Sequence, residues 1–110
     1  MTINQDIRDI TEAIKKAVPT ERIYLFGSYA YGTPTENSDY DFYLVLPDGG
    51  MKPNKAMDEA HGAIMPLRSN MDKSVDVLAN YKSKFDEIKN YIGCVAKEVA
   101  QKGVILYERN

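Results

Sequence analysis

An α/β fold is predicted by three observations. Apolar stripes of helical period alternate along the chain with short runs of strand character. Turn-forming clusters of Gly, Pro, Asn and Ser punctuate them. The 110 residues, 44% apolar and 27% charged, suit one globular domain over 1–110 that needs no disulfide or metal to fold.

Ile3, Ile7, Ile10, Ile14 and Val18 share one helical face, with Thr2 and Gln5 as a possible capping box and Pro19 as the stop. Arg22 to Phe26 reads as a short strand, apolar on both faces. Gly27 breaks it, and Tyr29 to Tyr31 can begin a short helix. A turn-rich segment, Thr33 to Ser38, leads to a second strand, Tyr40 to Leu46. Pro47 to Lys55 reads as a mobile loop. Asn54 is placed to cap a helix with Met57, Ala60, His61, Ile64 and Met65 inward, and Pro66 is expected to push Met65 out of helical geometry. Ser74 to Leu78 forms a strand with a charge at its centre. From Ser83, residues Phe85, Ile88, Ile92, Val95 and Val99 predict one long helix, ended by Gly103 as a C-terminal cap. Val104 to Tyr107 closes the chain as an edge strand.

Fourteen basic against sixteen acidic residues leave a net charge of −2. That balance argues against nucleic-acid coating and against anionic membranes. The single cysteine, Cys94, excludes an internal disulfide and a cysteine zinc site. Acids at Asp6, Asp9 and Glu12 occupy the place of a signal peptide's apolar core, and no run is long enough to span a bilayer. The expected compartment is the cytoplasm. His61, alone of its kind, lacks the neighbours of a metal site and reads as packing. Cys94 reads as a small buried filler, and Tyr24, Tyr43 and Tyr107 as sheet residues. Tyr31 and Tyr40 flank the motif but also read as packing. Lys52, Lys55, Lys82 and Lys84 belong to a solvated face.

Three features carry chemistry. Gly27-Ser28 follows a buried strand, and free amides at the start of a short helix there favour an anion such as phosphate. Asp39 and Asp41 open the second strand at i and i+2 and so share a face. Asp76 interrupts an apolar strand between Val75 and Val77, where an acid is costly unless paired or metal-bound. If the two strands are neighbours, three carboxylates face a phosphate-holding turn. Hard oxygen ligands of this kind suit Mg²⁺ or Mn²⁺.

Gly27-Ser-Tyr-Ala-Tyr-Gly32, Ser38-Asp39-Tyr-Asp41 and Val75-Asp76-Val-Leu78 together resemble the nucleotidyltransferase motif of the DNA polymerase β superfamily, and most of all its minimal nucleotidyltransferase (MNT) group. Tyr29 and Tyr31 stand where that motif usually carries an arginine. The resemblance implies a small mixed β-sheet flanked by helices. It implies Asp39, Asp41 and Asp76 as catalytic ligands of two Mg²⁺ ions (Mn²⁺ being possible), and Gly27, Ser28 and Ser38 as nucleotide-binding residues. By the same resemblance the chain is an antitoxin that transfers AMP from ATP, or another NTP, to a tyrosine hydroxyl of a partner HEPN toxin. A toxin-binding module without turnover, and a small-molecule nucleotidyltransferase working with a separate substrate-binding subunit, are the alternatives.

Overall fold

The computed structural model describes residues 3–110. Helix α1, Gln5–Ala17, buries Ile7, Ile10 and Ile14, the face the stripe predicts. Its cap differs from expectation. Thr2 lies outside the described residues, and Asn4 caps the helix, its Oδ1 accepting from the Ile7 amide at 2.9 Å. Strand β1, Arg22–Phe26, runs into the one-turn helix α2, Ser28–Tyr31, and then into β2, Tyr40–Leu46.

Helix α3, Pro53–Ile64, begins inside the segment expected to be a loop. Pro53 occupies its first turn, where a missing N–H costs nothing, so Lys52 and not Asn54 is the capping position. It buries Ala56, Ala60 and Ile64. Met65 keeps helical angles and is 66% exposed, because Pro66 starts a tighter 3-10 stretch, Met65–Asn70, instead of breaking the chain away. Strand β3, Val75–Tyr81, is longer than the apolar run suggested.

The long helix expected from Ser83 is two helices, α4, Lys82–Ile88, and α5, Val95–Lys102. Gly93 at φ 82° turns the chain between them and leaves Ile92 91% exposed. Cys94 is the capping position of α5 and only partly buried. The Ser83 amide takes Asp48 Oδ1 as its acceptor at 3.0 Å, so a residue from the β2–α3 loop satisfies the first turn of α4. Strand β4, Val104–Glu108, completes the sheet.

Strand order is β3-β2-β1-β4. β1 pairs antiparallel with β2 and β4, and β2 pairs parallel with β3, which makes the sheet mixed. Parallel pairing requires a crossover, supplied by α3. One sheet face, with Ile23, Leu25, Phe42, Leu44 and Val77, packs on α1 and α3. The other, with Tyr24, Phe26, Tyr43 and Val45, packs on Phe85 of α4 and Val99 of α5. No helix among the described residues is long and apolar enough to cross a membrane.

Candidate active site

The site lies where β1 ends and β2 and β3 begin. Tyr40 and Phe42 point into the core against α1 and α3. Asp41, between them, must therefore point to the opposite face. The parallel register pairs Asp41 directly with Asp76, which puts their backbones about 4.8 Å apart and their side chains on one face.

This crowding has an electrostatic signature. Burial, first, and then the charges of Asp76 and Asp39 raise the Asp41 carboxyl from 3.8 to about 6. Glu98, from α5, adds to the same effect. The cost of burying an acid falls on Asp41. Asp76 is exposed, contrary to the expectation that an acid amid Val75 and Val77 would be desolvated. The alternation explains this, since both valines face the core and the side chain between them faces outward. Asp39 sits one residue before β2 and is exposed.

Gly27 completes the wall of the site. It has φ 75° and ψ −164°, a region open essentially to glycine alone. A Cβ there would collide with Asp41 Oδ2, so the carboxylate rests directly against the backbone turn. Gly27 caps α2, and its carbonyl accepts from the amides of Ala30 and Tyr31. The Ser28 and Tyr29 amides precede the first intrahelical bond and remain available to an anion.

Ser38 is engaged differently. Its Oγ accepts from the Thr35 amide at 2.8 Å, and its amide donates to the Thr35 carbonyl at 3.0 Å. Lys73 Nζ donates to the Thr35 and Glu36 carbonyls at 3.3 and 2.6 Å. These bonds close the turn that delivers Asp39. Tyr40 packs on Tyr29, ring centroids 4.7 Å apart, and donates to Asp6 Oδ2 at 3.0 Å, which ties α1 and α2 to the start of β2. Burial, foremost, pushes the Tyr40 hydroxyl up to about 12.

Two further residues border the site. Glu98 acts electrostatically on both Asp41 and Tyr31, and Lys102 Nζ stands 5.8 Å from the centre of the Tyr31 ring. The Tyr31 hydroxyl is buried and, among the described residues, makes no hydrogen bond of good geometry, although Gly27 and Glu98 lie close enough to act on it; burial, foremost, raises its pKa. Neither Glu98 nor Lys102 is recognisable in the sequence, where both look like ordinary helix-surface charges.

The donor set fits a hard divalent cation. Its oxygens come from carboxylates, and one of them, Asp41, is raised to about 6 by burial first and by neighbouring like charges second, a penalty that a bound cation would relieve. Among the described residues no three acidic side chains converge into a ready cage; Asp41 and Asp76 are the pair that the strand register sets side by side.

The nucleotidyltransferase domain family model matches residues 7–106. No curated protein matches the chain. Among solved structures, a chain of a toxin-antitoxin crystal structure with AMP-PNP is similar at 23% identity and TM-score 0.66, covering 97% of this chain and 76% of that one. A chain of a mutant toxin-antitoxin pair, MntA-HpeT, with two aspartates changed to glutamate, is similar at 22% identity and TM-score 0.65, covering 98% and 76%. At these identities the likeness is one of fold.

Proposed function

Since this chain belongs to the nucleotidyltransferase domain family, we propose that it transfers AMP from ATP to a tyrosine hydroxyl of a HEPN-type toxin and thereby acts as its antitoxin. The observation that carries the reading is the pairing of Asp41 with Asp76 across β2 and β3, directly against the Gly27 turn. Fold likeness to chains from toxin-antitoxin structures, one solved with AMP-PNP, supports an adenine nucleotide and a toxin partner, and the HEPN class of that partner rests on the motif resemblance.

In this reading Asp39, Asp41 and Asp76 hold two Mg²⁺ ions, for which Mn²⁺ can substitute. When bound, the ions supply charge neutralisation and orientation of the triphosphate. The amides of Ser28 and Tyr29, with the Ser28 hydroxyl, hold the β- and γ-phosphates, and Gly27 lets the backbone come close. Ser38 anchors the turn that presents Asp39. Asp76, exposed at the start of an edge strand, faces the acceptor. The acceptor oxygen bonds to the α-phosphorus as the α–β bridging P–O bond breaks. Pyrophosphate leaves with that electron pair, and the hydroxyl proton passes to Asp76 and on to solvent. Catalysis is mostly positioning and charge balance. AMP on the partner adds a negative charge, which would repel RNA from a nuclease site.

The test is incubation of the chain with a HEPN partner, Mg²⁺ and α-labelled ATP. Label on the partner that disappears with Asp41→Asn supports the reading. Full neutralisation of the toxin by Asp41→Asn, with no label, overturns it in favour of inhibition by contact alone.

A further inference from the structure

The outer edge of β3 offers unused backbone groups beside the proposed acceptor carboxylate. The phase of the ladder shows which residues these are. The Tyr40 amide donates to the Ser74 carbonyl at 3.0 Å, so Ser74, Asp76, Leu78 and Asn80 aim their backbone groups at β2. Val75, Val77 and Ala79 then aim theirs away from the sheet. Tyr81 obeys the same phase, and its outward amide is closed off by Asn80 Oδ1 at 2.9 Å. Among the described residues nothing comparable caps Val77 or Ala79.

Exposed edges are normally blunted by lysine, proline or a bulge. The β4 edge follows this rule, with a register shift opposite Ile23 and Tyr24. The β3 ladder runs unbroken from Val75 to Tyr81, and the strand contains no Lys, Arg or Pro. Blocking is confined to its far end, and the open stretch is the end that carries Asp76. Leu78, on the same face as Asp76, is 40% exposed.

We propose that the acceptor is bound as an extended peptide strand added to the free edge of β3, its hydroxyl-bearing residue opposite Asp76 and an apolar residue two positions away opposite Leu78. The proposal rests on the reading of Asp76 as the acceptor-side carboxylate. Directly opposed residues on neighbouring strands hold their Cβ atoms about 5 Å apart. Pairing therefore brings a side chain alongside Asp76 without any pocket for it. Main-chain bonds to Val77 and Ala79 supply the affinity, and the period of two supplies the selection. An acceptor hydroxyl inside a helix could not be presented this way, so the edge selects unfolded tails or edge segments of a partner.

The probe is a synthetic pentapeptide, Thr-Tyr-Thr-Val-Thr with blocked ends, mixed at millimolar concentration with the full chain, Mg²⁺ and a non-hydrolysable ATP analogue. Amide exchange read by NMR should slow at least about tenfold at Val77 and Ala79, and not along β4. The same peptide N-methylated at its edge-facing amides should give no protection, and Ala79→Pro, which deletes one outward donor on an edge where proline is tolerated, should abolish it too. Absence of protection, or equal protection by the N-methylated peptide, overturns the proposal. So does concentration-dependent protection of the chain alone, which would assign the edge to a second copy. With ATP in place of the analogue the two readings separate. Transfer to the peptide while Val77 and Ala79 still exchange freely sinks the edge proposal and leaves the enzymatic one standing. Protection without transfer does the reverse.

Discussion

Asp41 Oδ2 occupies the space in which a side chain on Gly27 would begin. The carboxylate and the Gly27 turn are thus one packed unit, not two motifs that happen to be near.

Gly27→Ala should be damaging for two separable reasons, backbone strain and collision with Asp41. Together they should cost about 2–4 kcal/mol by urea denaturation. In an Asp41→Ala background the collision is gone, and the cost should fall by about 1 kcal/mol or more. An unchanged cost would mean that the backbone angle alone sets it.

Asp41 also gives the stability a pH dependence. Its folded value, about 6, lies above the ordinary 3.8, so between these limits the folded chain binds more protons than the unfolded one. Stability from this group is therefore lowest above pH 6 and rises as pH falls towards 4. After allowance for solvent screening at a half-exposed group the gain is about 1–2 kcal/mol. In EDTA, Asp41→Asn should remove that slope and be the more stable protein at pH 8, and in a separate assay with Mg²⁺ it should lack the transfer activity expected of the wild type. Asp86, whose carboxyl Lys82 holds below its usual range, works in the opposite direction and only below about pH 4.

Mg²⁺ with ATP should raise the melting temperature, since ligands of the native state stabilise it by about 2.7 kcal/mol at a hundredfold excess over Kd. Asp39→Asn should largely abolish the shift in differential scanning fluorimetry. Equal shifts in both proteins would place the metal elsewhere.

Gly103 tests a different kind of constraint. Its φ is −69°, an angle any residue adopts, yet a Cβ would meet the Val99 carbonyl oxygen at 2.5 Å and the Leu25 carbonyl oxygen at 3.2 Å. Gly103→Ala should cost about 1–3 kcal/mol through this crowding, measured by chemical denaturation.

Gly103 also marks where sequence reasoning reaches its limit. Gly103 is the C-terminal cap of α5, as the stripe predicts, its amide donating to the Val99 carbonyl at 2.9 Å, but its close approach to β1 is a second task that no local pattern encodes. The break between α4 and α5 is similar. Phe85, Ile88, Ile92, Val95 and Val99 keep helical period, but the sheet face they cover needs two short helices, and Ile92 is left in solvent. Legible from the start were β1, β2 and the α2 turn, because alternation and turn chemistry are local signals, whereas the pairing of Asp41 with Asp76 entered only as a condition on how the two strands pack. Glu98 was invisible because its nearness to Asp41 depends on how α5 packs.

The crossover through α3 has a consequence for biogenesis. Asp41 and Asp76 belong to strands joined by a long detour, and such non-local parallel pairs are among the slowest to form. Until the ribosome has released the chain through Tyr81 and that segment has docked, the second carboxylate has no fixed position. A nascent or half-assembled molecule would therefore lack the Asp41–Asp76 pair, and under the proposed function it would be inert until β3 docks on β2.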